Sequence, residues 1–356
     1  MILFKPAARW TQRLISCWRP LALLLLVAGS AAADTAASAV RIDRSSGTLV
    51  AFNAPPADAQ QVTIGIYAIN VYDLDIRSNT FRISAYVWLR WQGDFDPVAT
   101  LEFPNVVESW GLTKEPLQEA PKELADGSKY QALRIEGRFF QFFDLRKYPL
   151  DRQELSLLVE NSTEPFARVV YLPDATATGY DSNIRIPGWQ VTGLTAHPYI
   201  HDYGTNFGEI GAPEASRYST IKFSFDLARN INLFGWKLLL PLLIVMLTNW
   251  FALFLKPTHI EVRTVMPATA LLTAVLMRQS AMDAIPECPT LVLMDQIYVL
   301  AYVFIVLTLL QIIWASIKMD KDSPDSIARI MTIDKRSFLA QITGFSVLLG
   351  LLLLWA

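Results

Sequence analysis

The chain is poor in the residues that most often carry reaction chemistry. Of its 356 residues, two are cysteines and three are histidines. Cys17 falls in the first apolar stretch, which leaves Cys288 alone in the rest. No intrachain disulfide is then predicted for a processed chain, so a core must stabilise any exported domain. His197 and His201 are four apart with Pro198 between them, which reads as a polar loop. Asp202 and Glu209 are the nearby acids, and a metal site would need more convergent ligands than these. The sequence has no G-x-S-x-G elbow, no Walker loop and no G-x-G-x-x-G. It therefore gives no support to an enzyme, a cofactor or a bound metal. Basic residues do not exceed acidic ones, 31 against 33, so nothing suggests nucleic-acid binding.

What the chain has instead is apolar residues. They make up 52% of it, against 18% charged, and the mean hydropathy is positive. That is too apolar for a wholly soluble protein, and the length allows two domains. Lys5, Arg9, Arg13 and Arg19 precede a short apolar run, Leu21 to Val27, and then Ala31-Ala32-Ala33. This order predicts a secretory signal over 1–33, with an uncleaved anchor helix as the alternative. Its removal would leave 27 bases against 33 acids.

From about 40 to 230 the period is two. Phe81, Ile83, Ala85, Val87, Leu89 and Trp91 alternate with more polar residues, and so do Ile221, Phe223, Phe225 and Leu227. One apolar face per strand predicts sheets over a core. Turn clusters such as Ala125–Ser128 and Pro187-Gly188 break the region into short strands, as in a β-sandwich or barrel.

Beyond Arg229 four membrane-length segments follow, about 233–255, 262–282, 295–317 and 337–356, and Pro241 predicts a kink in the first. The domains expected are a β-sandwich over 34–231 and a four-helix membrane domain over 232–356, with a short cytoplasmic loop at 318–336. That loop carries Lys318, Lys321, Arg329, Lys335 and Arg336, whereas 283–295 has three acids and no base. The asymmetry places the loop in the cytoplasm and the N-terminal domain outside, in the inner (plasma) membrane of a bacterial-type cell.

The second segment has an unusual face. Glu261, Val265, Thr269, Leu272, Leu276, Gln279 and Asp283 recur at steps of four or three and so share one side of a helix. That side is acidic at both ends and aliphatic in the middle. It suits a narrow water column better than lipid, although a buried bundle helix with incidental polar residues also fits. Arg263 and Arg278 fall off this face. Pro267 within the helix either bends it or is simply tolerated near its start.

The segment Phe139 to Leu155 contains Tyr148, Pro149 and Asp151 at fixed spacing. It resembles the signature loop of the pentameric ligand-gated ion channels, the Cys-loop receptors. The two cysteines of the animal receptors would fall at Gln141 and Leu155, so the resemblance is to the prokaryotic branch. Ile64 to Trp91, Pro187-Gly188-Trp189, Arg229, Thr264 to Thr273, Ile285-Pro286 and Asp295 follow the family's order.

The resemblance implies a homopentamer in which the second helix of each of five subunits lines the pore. Glu261 would ring the cytoplasmic mouth and Asp283 the outer one, which implies monovalent cation conduction. Anion conduction and a non-conducting sensor of the same fold are the alternatives. Leu272 and Leu276 would form the hydrophobic gate. Coupling would run through Asp73, Asp75, Tyr148, Pro149, Asp151 and Pro286, with Arg229 paired to Asp151, Asp73 or Asp75. A ligand site between subunits is implied at Tyr199, Tyr203, Phe207 and Tyr218, with Trp91 from the neighbour. A small amine, a proton or a divalent cation would be the agonist, and membrane lipid the surrounding partner. Glu102 and Ser162 stand where the family has aromatics.

Overall fold

The computed structural model describes residues 47–52, 54–211, 216–283, 285–286, 290–320 and 323–355. The stretch expected to act as a signal lies outside these residues, as does Cys288. Residues Ser46–Ala356 form one compact unit.

Twelve strands come first: β1 Thr48–Ala51, β2 Gln60–Asp75, β3 Thr80–Trp91, β4 Leu101–Glu102, β5 Thr113–Pro116, β6 Lys122–Glu123, β7 Lys129–Phe140, β8 Arg152–Asn161, β9 Val169–Pro173, β10 Gly179–Tyr180, β11 Trp189–Asp202 and β12 Arg217–Arg229. One sheet runs β1-β11-β12-β8-β4. The other runs β10-β2-β3-β7-β5, with β6 added on β7 and β9 on β2. Strand alternation fixes which side is inside. Phe81, Ile83, Ala85, Val87 and Leu89 on β3 are fully buried, as are Ile221, Phe223 and Phe225 on β12. Each such side chain contributes roughly 1.5–3 kcal/mol by leaving water. The two sheets place these faces against each other as a sandwich.

One local feature departs from the sequence reading. His197 and His201 lie on β11 rather than in a loop. Pro198 is tolerated because β1 pairs only with Tyr199–Asp202, so the missing N–H falls on a free edge. Gly65 is needed where Trp88 crosses β2: a Cβ there would stand 2.2 Å from the indole. The indole thereby reaches Asp174, its Nε1 donating to Oδ2 over 3.1 Å.

The helical part starts at Asn230, whose side chain caps α1 (Ile231–Phe234). A π-helical turn, Gly235–Leu239, leads into α2 (Leu240–Phe251). The irregularity expected at Pro241 takes the form of this wider turn, which gives the ring room against the preceding carbonyls. Then come α3 (Ile260–Met282), α4 (Leu293–Lys318) and α5 (Pro324–Trp355). Four spans, Gly235–Phe254 and these last three helices, are long and apolar enough to cross a bilayer. The protein is a multi-pass membrane protein.

The 318–336 stretch, expected as a loop, is largely helix: α5 begins at Pro324. Ser323 Oγ accepts from Ser326 N, proline occupies the first turn and Asp325 follows. These are helix-start signals that a hydropathy window does not weigh. Inside the bundle, polar side chains link three helices. Asn249 Nδ2 donates to Thr308 Oγ1 (2.9 Å). Gln341 Oε1 accepts from Thr308 Oγ1 (2.8 Å) and from Trp250 Nε1 (3.2 Å). In an apolar surrounding such bonds set helix register.

Candidate pore helix, coupling loops and ligand hairpin

All seven residues of the polar-ended face of α3 are exposed: Glu261, Val265, Thr269, Leu272, Leu276, Gln279 and Asp283. The opposite side, Arg263, Pro267, Ala270, Ala274 and Ala281, is buried against the other helices. Small alanines let those helices approach. The two arginines are both turned to ion pairs. Arg263, 1% exposed, donates through Nη2 to Asp334 Oδ2 of α5 (2.6 Å) and through Nε to the Ala252 carbonyl (3.1 Å). Arg278 bonds Asp295 at the start of α4, Nε to Oδ1 at 2.9 Å.

Where sandwich and helices meet, the turn from β7 to β8 covers the start of α4. The Arg146 carbonyl accepts from Leu293 N (3.0 Å) and the Tyr148 carbonyl from Met294 N (3.2 Å). Asp295 adds a capping bond to Val292 N (3.4 Å). Orphan N–H groups of a membrane helix are thus satisfied by a loop of the exported domain. Tyr148 precedes a cis Pro149 and is buried, which raises its hydroxyl pKa. Beneath it Arg229 grips Asp151 with both arms, Nε to Oδ1 at 2.6 Å and Nη2 to Oδ2 at 3.0 Å. The guanidinium lies 4.0 Å from the Trp189 ring centroid and 4.9 Å from that of Tyr148. Of the three partners offered for Arg229, Asp151 is the one in place. Asp73 instead faces Arg82 and Arg138 at 3.6 and 3.5 Å, and Asp75 folds its own turn through Arg77 N and Ser78 Oγ.

That turn, between β2 and β3, brings Arg77 to a cavity of about 490 Å³ that Arg278, Asp283, Pro286 and Asp295 also line. The neck of the β7–β8 loop is closed without sulfur. Gln141 Oε1 accepts from Ser156 N (2.9 Å), next to Leu155. Gln153 bonds Asp144 and Asp151 across the loop. The guanidinium of Arg146 hydrogen-bonds Asp144 and holds that carboxyl below its usual range.

In the β11–β12 hairpin, Tyr203 lies 5.1 Å from Phe207 and 5.9 Å from Tyr218 by ring centroids, while Tyr199 sits farther along against His197 (6.5 Å). At the foot of these rings Glu160 of β8, 1% exposed, accepts three short bonds. They come from Tyr203 OH (2.7 Å), Thr220 Oγ1 (2.6 Å) and His201 Nδ1 (2.7 Å). Burial and the Glu160 carboxylate push the Tyr203 hydroxyl far up, so it stays a donor. Trp91, expected from a neighbouring subunit, is 2% exposed in the sandwich core of its own subunit, because the inward phase of β3 includes position 91; Trp88 is on the other side of the sheet. Among the described residues no group of three or more His, Cys, Asp or Glu could hold a metal ion.

No protein-family model matches the sequence. Over 279 residues it is 21% identical to a proton-gated ion channel of Gloeobacter violaceus, an alignment covering 72% of this chain and 74% of that protein. It is 22% identical to a gamma-aminobutyric acid receptor subunit beta of Lymnaea stagnalis and to a subunit beta-4 of Gallus gallus. Each of those alignments covers 52% of this chain and 36% of the receptor subunit. The chain is a relative of the pentameric ligand-gated ion channels.

The sequence reading did not single out Glu160 or Asp334, and it took His201 for a loop residue. Glu160 and His201 have no local motif, because β8 and β11 meet the same site only through β12. Asp334 sits in a stretch read as loop. Trp189 was visible only as part of Pro-Gly-Trp, and its stacking on Arg229 needs the β11–β12 register, where the two are directly paired.

Proposed function

We propose that this protein is the subunit of a homopentameric, cation-selective ligand-gated channel, opened from outside the membrane by a small amine. The observation that carries the reading is the exposed face of α3. Seven residues from Glu261 to Asp283 are left uncovered by the subunit's own helices, acidic at the ends and aliphatic at Leu272 and Leu276. Five copies around an axis would make a pore with acidic mouths, favouring cations, and a mid-pore constriction that closes by dewetting. Both nearby arginines are turned off this face into ion pairs, which removes the main objection to cation conduction. Asp73, Asp75, Tyr148, Pro149, Asp151, Arg229 and Pro286 form the coupling layer in this reading. The helix-capping carbonyls of the β7–β8 loop give it a direct purchase on α4.

The amine is favoured by Glu160, a buried carboxylate below Tyr203, Phe207 and Tyr218. A cation over the rings gains their aromatic faces and the field of the carboxylate beneath them, whose own bonds are taken by Tyr203, Thr220 and His201. Two of the relatives are named for an amino acid with an amine group. The test is current recording from purified protein in planar bilayers while small amines and pH are varied. A cation-following reversal potential in a salt gradient and activation by an amine are expected. E160Q should raise the half-activating amine concentration about ten-fold or more, because the rings would then cover no negative charge. A reversal that tracks chloride, or activation indifferent to E160Q, sinks the corresponding half of the reading.

A further inference from the structure

We infer that Asp334, on the helix farthest in sequence from the pore face, sets the channel's charge selectivity by cancelling Arg263. It rests on the proposed cation-conducting reading and names a residue for it. Arg263 is two positions from Glu261 on α3, so each subunit places a fixed cation beside the proposed carboxylate ring. Arginine stays charged at any working pH. Uncompensated, it would reduce the net charge of that mouth from one negative per subunit to none.

The structure compensates it completely. Arg263 is 1% exposed, and Asp334 is fully buried against it at 2.6 Å. All four membrane-length spans take part. The end of the α2 span offers the Ala252 carbonyl to Arg263 Nε, and Gln311 of α4 donates to the other oxygen of Asp334 at 3.1 Å. No other charged side chain is buried with the pair among the described residues. Lys335 and Arg336, the next residues of α5, are exposed. In this low-dielectric surrounding a lone charge would be felt over many ångströms, since little water screens it. The pair therefore acts on the pore as a near-neutral dipole, and Glu261 sets the field.

Asp334 touches no ion path, so it is a positioning and neutralising residue. A purely structural role would alter stability and expression, not the sign of the permeant ion. The decisive measurement is the reversal potential in a NaCl gradient for wild type, D334N and the apolar double variant R263M/D334L. D334N keeps the shape and the bond to Gln311 but frees the charge of Arg263. Its sodium-to-chloride permeability ratio should fall by about ten-fold, the order expected when the mouth loses its net charge. R263M/D334L removes both charges and should stay cation-selective.

Should D334N pentamers fail to assemble, coexpression with wild type gives mixed pentamers, in which the ratio should fall stepwise with the variant's share. An unchanged ratio in D334N or mixed pentamers, with wild type still cation-selective, overturns the role of Asp334 alone. Loss of selectivity in the double variant also overturns it, because geometry rather than charge would then matter. A wild type that follows chloride instead overturns the cation reading itself.

Discussion

At the scale of single residues, the chain holds half-buried carboxylates with neutral hydrogen-bond donors in place. Asp174 shows how. Burial alone would raise its carboxyl, but bonds from Trp88, Thr176 and the backbone outweigh this and leave the pKa lowered. A carboxyl depressed in the folded state stabilises above its unfolded value, about 3.9, and that contribution is lost as pH falls through the folded value. D174N should therefore melt below wild type at pH 7, and the gap should close as pH falls below about 4. Thermal melts followed by tryptophan fluorescence across pH 3–7 would show this; a gap independent of pH contradicts it. The cysteine positions of the animal receptors make the same point. Gln141 and Leu155 cannot bridge, yet a hydrogen bond from Ser156 N to Gln141 Oε1 closes the loop at the same neck.

At the scale of elements, the β7–β8 loop and the start of α4 join the sandwich to the helices through two backbone hydrogen bonds. Arg229 ends β12, Asp151 opens β8, and the carbonyl of Tyr148 caps α4. Removing one member of this partly buried pair leaves the other uncompensated, a loss of about 3 kcal/mol or more. R229Q should thus lower the melting temperature and shift the half-activating agonist concentration by about ten-fold or more. D151N/R229Q should do less harm than the two single changes added together. Normal activation of R229Q at normal surface expression would remove the pair from the coupling path. The same scale explains α5. Its N-terminal half is too polar for a hydropathy window, but Ser323-Pro324-Asp325 starts a helix that buries Asp334 against Arg263.

At the scale of the whole molecule, the exposed stripe of α3 is incomplete in one subunit. Leu272 and Leu276 are each 61% exposed on the same face as Glu261 and Asp283, whose carboxylates are costly against lipid. Assembly around an axis resolves it. Detergent-solubilised protein should run, after correction for bound detergent, at about five times the 40.0 kDa of one chain. Light scattering would measure it, and a monomer or dimer as the sole species would contradict the pore.

The sequence by itself determined the elements whose signal is periodic. Strand alternation, four apolar spans and the α3 stripe are local patterns, because burial on one face repeats every two or every 3.6 residues. The signature at Tyr148, Pro149 and Asp151 was legible for the same reason: its spacing is short. Only the tertiary structure decided which charges meet. Arg229 had three acidic candidates within reach of the sequence argument and takes Asp151. Arg263 finds Asp334 seventy-one residues away. Glu160 collects donors from two other strands. Trp91 goes to the core of its own sandwich. Such pairings depend on where separate elements pack, and a charge gives no periodic trace of its partner.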